Sequence, residues 1–150
     1  MIRRNKFGNS ELRKAWANWL KEAKSNWKEE DCWFVTLSFG KNKPYEEAEK
    51  LRSRFIGWIE QSGCLQSPVT AFYTDPKGPM GNRHYHLLVM AKGLGEVNKE
   101  QWERRWGHLA EHGSSCRIGQ ANEMRINYMC NIQNFGAGEI QVRGWLPKAS

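Results

Sequence analysis

The sequence predicts an α+β fold: an antiparallel sheet of about five strands with helices packed on it, and an extra helix at the N-terminus. Three observations carry this. Runs of β-branched and aromatic residues recur between breaks of Gly, Pro, Asn and Ser, as strands require. Segments with apolar residues at helical spacing separate them. The resulting order is helix, then β-α-β-β-α-β, then helix, the split β-α-β pattern of a sheet covered by helices.

The elements follow in order. Residues 1–8 are basic and read as a loose N-terminus. A helix is expected from Asn9, with Asn9 or Ser10 as its cap. Leu12, Trp16, Trp19, Leu20, Ala23 and Trp27 then form one apolar stripe, with Arg13, Lys14, Lys21, Lys24 and Lys28 largely off it. "CWFVTLSF" (Cys32 to Phe39) reads as the first strand and "GKNKP" breaks it. Pro44 to Gln61 reads as a helix with Leu51, Phe55, Trp58 and Ile59 on its inner face. "SGCLQSP" reads as a loop, and "VTAFYTD" (Val69 to Asp75) as the second strand. The Gly- and Pro-rich "PKGPMGN" makes a turn. "RHYHLLVM" (Arg83 to Met90) is the third strand, so the second and third form a hairpin. Asn98 caps a helix that holds Trp102 and Trp106 and ends near Gly113. "SSCRIGQ" is a short fourth strand, Ala121 to Gln133 a helix, and "NFGAGEIQVRGW" holds a last strand.

A chain of 150 residues suits one domain with one adequate core. No apolar run approaches the roughly 20 residues needed to cross a bilayer. The start "MIRRNKFGNS" has charge but no apolar stretch after it, so no secretory signal is read and the cytoplasm is the expected location. Cys32, Cys64, Cys116 and Cys130 are far apart, without a C-x-x-C pair, and read as four ordinary thiols rather than a zinc site or a disulfide framework. The 23 Lys+Arg outnumber the 16 Asp+Glu, giving a net charge of +7 that favours a polyanionic partner, above all nucleic acid. Eight tryptophans could stack on unpaired bases, although most such rings serve a core.

The chemistry concentrates around "HYH". Successive strand side chains point to opposite faces, so His84 and His86 share one face and Tyr85 takes the other. Two imidazoles on one face can reach one divalent cation, which in turn can polarise a phosphate oxygen. Asp75 closes the neighbouring strand of the hairpin and is the candidate third ligand. Tyr128 lies on the helix after the fourth strand, with Arg125 and Asn131 three residues before and after it on the same face. A tyrosine hydroxyl can attack a phosphodiester and conserve the bond energy as a phosphotyrosine. Free tyrosine titrates near pH 10, so it needs help to lose its proton and a metal on the phosphate.

With these residues in view, the chain resembles the HUH endonucleases, in particular the rolling-circle replication initiators (Rep proteins) of small plasmids and single-stranded DNA phages. "FVTLSF" (Phe34 to Phe39) resembles the family's first motif. "HYH" (His84 to His86) resembles its His-hydrophobic-His motif, and "YMCN" (Tyr128 to Asn131) stands where the family has Tyr-x-x-Lys. The resemblance covers about residues 31–135. It implies a five-stranded ferredoxin- or RRM-like HUH fold and site-specific nicking of single-stranded DNA. It further implies Mg²⁺ or Mn²⁺ on His84 and His86 with Asp75 as third ligand, and Tyr128 as nucleophile. The products would be a 5′-phosphotyrosine and a free 3′ hydroxyl for a polymerase. One departure stands out: Asn131 occupies the lysine position, and Arg125 is a candidate to replace that charge.

No second tyrosine follows at helical spacing, which argues against DNA passing between neighbouring tyrosines. No G-x-x-x-x-G-K-[ST] is present, so unwinding would come from a host helicase. His108 and His112 are four apart at a helix end, where the dipole already favours histidine. Two other readings stay open. One is a non-catalytic module that stacks single-stranded nucleic acid on sheet aromatics, for which Tyr85, Tyr73 and Trp33 are candidates. The other is a single-tyrosine transposase acting as a dimer on hairpin DNA.

Overall fold

The computed structural model describes residues 2–41, 43–61, 66–75, 84–111, 113–132 and 141–143, with backbone alone for 2–10, 12–13, 66–75, 129, 131–132 and 141–143. Four helices and five strands lie among the described residues. They are α1 (Ile2–Lys24), β1 (Cys32–Ser38), α2 (Tyr45–Gln61), β2 (Gln66–Asp75), β3 (His84–Lys92), α3 (Lys99–Ala110), β4 (Ser115–Gln120), α4 (Glu123–Ile132) and β5 (Gln141–Arg143). The fold is α+β. The sheet runs β4-β1-β3-β2-β5, and every neighbouring pair is antiparallel. β3 lies between β1 and β2, which is the split β-α-β arrangement.

Two boundaries differ from the expectation. The first helix begins at Ile2 rather than at Asn9, so the stretch 2–8 read as a loose end is helical. Gly8 and Asn9 each cost a helix about 1 kcal/mol or less, which weakens it without the hard stop that proline imposes. β2 begins at Gln66 and so includes Pro68, where a loop was expected. Pro68 has no N–H to give, and the β2–β3 ladder shifts register between Gln66 and Val69. β5 pairs only with Thr70 to Phe72, so the missing donor falls outside that second ladder.

Strand alternation splits the core in two. On one face Trp33, Val35, Leu37, Tyr85, Leu87 and Val89 pack under α2 and α3 with Phe55, Trp102 and Trp106. Trp33 meets Trp102 edge-on at 5.0 Å, and the Trp106 Nε1–H donates to the Ser38 carbonyl at 3.0 Å. Each large ring removes on the order of 200 Å² from water, a gross gain of about 5 kcal/mol. On the other face Phe34, Leu88 and Met90 pack under α1 and α4 with Ala17, Leu20, Ala23, Ile126 and Cys130. The aromatic core on the first face leaves the second free to carry polar side chains at its open end. That second face bears the histidines.

Asn98 caps α3, its side chain accepting from the Glu100 N–H at 2.9 Å. Cys32, Cys116 and Cys130 are free and buried. Burial raises their thiols to about 11, 12 and 11, so they stay protonated. Cys64 lies outside the described residues. Among the described residues no helix is long and apolar enough to cross a membrane.

Candidate functional site

The strand ladders place the site row by row. At the open end of the sheet, Ser115, Ser38, His84 and Asp75 stand in register across β4, β1, β3 and β2. The next row on the same face holds Arg117, Thr36, His86 and Tyr73, and the third holds Gly119, Phe34, Leu88 and Ala71. The first two rows are rich in hydroxyls, imidazoles and charge. The third is apolar and begins the core.

His86 is the pivot. It is 7% exposed. Its ring stacks on Phe34 at 5.7 Å, and its Nδ1 lies 3.4 Å from Thr36 Oγ1. Burial, reinforced by the nearby His84, lowers its pKa to about 4. The ring is therefore neutral at physiological pH and keeps a lone pair for a metal. His84 is half-buried at the mouth. The Asp75 backbone pairs with His84, so the expected third ligand sits at the adjacent register position. Its side chain lies outside what the structure describes. Among the described residues no group of three His, Cys, Asp or Glu side chains converges. The two imidazoles on one face suit a divalent cation that draws its remaining ligands from oxygen.

α4 brings the tyrosine. The Asn122 side chain accepts from the Arg125 N–H at 2.8 Å, which caps the helix start. Ala121 is held by a bond from its N–H to the Cys32 carbonyl at 3.2 Å. These fix where α4 leaves β4. Ile126 and Cys130, four apart, are buried. Tyr128 lies off that stripe and is 56% exposed, with its ring set edge-on against His86 at 5.6 Å and 86°. An accessible phenol thus touches a neutral imidazole that faces the open end of the sheet.

The other expected residues separate. Arg125 turns toward the sheet edge and its Nη1 donates to the Gln120 carbonyl at 2.6 Å. A Cβ on Gly119 would stand 2.0 Å from that nitrogen, so a side chain there would displace the guanidinium. Asn131 continues α4 one turn beyond Tyr128, and its side chain lies outside the described part. His108 is exposed on α3, in the layer behind the opposite face, and His112 lies outside the described residues. Tyr85 and Trp33 are buried under α2 and α3, so neither can stack a base. That removes two of the three aromatics on which a sheet-stacking module would depend.

Arg117, Thr36 and Ser38 escaped the sequence reading. Arg117 sits in the short fourth strand between Cys116 and Ile118, which both face the other core. Alternation alone puts it on the opposite face. Its neighbours across the sheet follow only from strand order. Comparison with protein-family models, with curated proteins and with solved structures gives no match.

Proposed function

We propose that this chain is a metal-dependent nickase of single-stranded DNA with the five-stranded HUH endonuclease fold, acting as a replication initiator of the rolling-circle type. The observation that carries the reading is the contact of the exposed Tyr128 ring with the buried, neutral His86. Two residues far apart in sequence, each chemically suited to one half of a phosphodiester transesterification, meet at the open end of one sheet face.

His84 and His86, with Asp75 beside them in the ladder, would hold Mg²⁺ or Mn²⁺. The cation would supply Lewis-acid polarisation of the scissile phosphate. Thr36 and Phe34 keep the His86 ring oriented. The Tyr128 oxygen attacks phosphorus and its proton leaves to solvent. The bond from phosphorus to the 3′ oxygen breaks, and that oxygen takes up a proton. The protein keeps the 5′ phosphate as a tyrosyl ester, and a 3′ hydroxyl is free for a polymerase. The partners are single-stranded origin DNA, in an extended or hairpin form, and a host helicase.

The test is incubation with a pool of single-stranded oligonucleotides and Mn²⁺. The wild type forms a covalent protein–DNA adduct; Tyr128→Phe and the His84→Ala/His86→Ala double variant form none. Tyr128→Phe keeps the exposed ring, so its melting temperature stays within about a degree of wild type, the scale expected of a surface change. An adduct that survives in Tyr128→Phe would remove this tyrosine from the mechanism. Binding without any adduct would favour a non-catalytic DNA-binding role.

A further inference from the structure

We infer that Arg117 supplies the positive charge on the scissile phosphate that Asn131 cannot provide. This rests on the nickase reading above. Thr36 pairs with His86 on one side and with Arg117 on the other, so the three form one row across β4, β1 and β3. Directly opposed residues of an antiparallel pair lie on the same face, and two strand spacings put the Arg117 and His86 backbones about 10 Å apart. The intervening Thr36 side chain is short and already turned to His86. Within this row of described residues, only the short Thr36 side chain stands between Arg117 and His86.

The surroundings agree. Cys116 and Ile118, before and after Arg117, pack into the opposite core. Gly119, the next residue on the histidine face, is covered by Arg125 of α4. Arg117 lies one step nearer the open end and is exposed. Among the described residues it makes no ion pair. A guanidinium offers a planar fork of donors that matches two phosphate oxygens and stays charged at every working pH. Arg125, the other candidate, already donates one arm to the Gln120 carbonyl. Among the described residues, a cation without an ion pair therefore stands beside the histidine pair on the sheet, while the helix arginine is bonded to the end of β4.

The experiment is single-turnover adduct formation with saturating single-stranded oligonucleotide pool and Mn²⁺. It compares wild type, Arg117→Ala, Arg117→Lys and Arg104→Ala, the last an exposed arginine on α3 in the opposite layer. A donor aimed at developing charge is worth roughly 100- to 1,000-fold in rate. Arg117→Ala is expected to slow adduct formation by that factor with unchanged melting temperature, Arg117→Lys to restore part of the rate because it keeps the charge without the fork, and Arg104→Ala to match wild type. A loss shared equally by Arg104→Ala would show general charge attraction and overturn the assignment. Arg117→Ala forming adduct as fast as wild type would overturn it alone. A wild type that forms no adduct overturns the nickase reading, and this inference falls with it.

Discussion

The Tyr85 hydroxyl donates to Glu49 Oε2 at 2.5 Å, on the sheet face opposite the two histidines that flank Tyr85 in sequence. Glu49 also accepts from Arg52 at 2.9 Å, and the Arg52 guanidinium lies 5.8 Å from the centre of the Tyr85 ring. Tyr85 is fully buried, so its bond anchors the middle of the His-Tyr-His segment to α2. Tyr85→Phe keeps the ring and removes one charge-assisted bond. We expect a loss of about 1.5–3 kcal/mol, read by urea denaturation with the slope unchanged. Glu49→Ala removes the acceptor shared by Tyr85 and Arg52 and should cost more. A Tyr85→Phe variant as stable as wild type would show that the anchor is not the hydroxyl.

Gly119 and Arg125 form a second coupled pair, joining β4 to the first turn of α4. Gly119→Ala puts a methyl group where the guanidinium now lies, and the long side chain escapes only by giving up its bond to Gln120. Arg125→Ala removes the same bond directly. Each single change is expected to cost about 1 kcal/mol. Because they act through one contact, the double variant should cost about as much as the worse single variant, not the sum. Strict additivity in thermal denaturation would show that the two act independently.

Much of this architecture can be read in the sequence, and the reasons for the gaps are physical. Period-two alternation through "RHYHLLVM" is enough to put His84 and His86 on one face and Tyr85 on the other. The alternation of β-branched runs with helical stripes gives the element order, and Asn98 marks a helix start before its capping bond is seen. Arg117 could not be read in this way. Its place beside Thr36 depends on β4 pairing with β1, a contact between segments some eighty residues apart in the chain. The direction that Arg125 takes is hidden from the sequence for a related reason. Helical spacing does group it with Tyr128, but the gap left by Gly119 draws its guanidinium to the sheet edge. The start of α1 escaped because propensity is a weak guide where no proline forbids a helix.

The buried His86 makes a definite pH prediction for the metal-free protein. Its folded-state pKa is lowered to about 4, whereas in the unfolded chain it titrates near its usual 6.5. Above about pH 6.5 both states carry the neutral ring, and the group has no effect on stability. As pH falls from 6.5 toward 4 the unfolded chain takes up the proton and the folded chain does not. The stability linked to His86 is therefore lost across that window, with an upper bound of about 3 kcal/mol at its lower end. The measurement is denaturant stability against pH in the presence of EDTA, wild type against His86→Leu. The difference between the two curves should bend between pH 6.5 and 4 and flatten outside it. Parallel curves would mean that His86 titrates normally in the folded state.

Metal binding to the same histidines should stabilise the folded chain, because only the fold brings His84, His86 and Asp75 to neighbouring positions on β3 and β2. A ligand that binds the native state alone raises stability by RT ln(1 + [L]/Kd), which is about 1.4 kcal/mol at ten times Kd. Wild-type protein at pH 7.5 should therefore melt at a higher temperature as Mn²⁺ is added, and EDTA should reverse the shift. His84→Ala removes the proposed ligand at the mouth of the site, where a void is filled by water. It should lower the metal-dependent shift while leaving the metal-free melting temperature nearly unchanged. His86→Ala should lower both, because His86 is also packed on Phe34 and half of its role is in the core. Asp75→Asn separates the third-ligand assignment from the other two. The amide keeps the size and an oxygen, but gives up the charge, so the Mn²⁺-induced shift should shrink without vanishing. A shift that is the same in wild type and in the His84→Ala/His86→Ala double variant would place the cation elsewhere on the molecule and separate the tyrosine from any metal chemistry at this face.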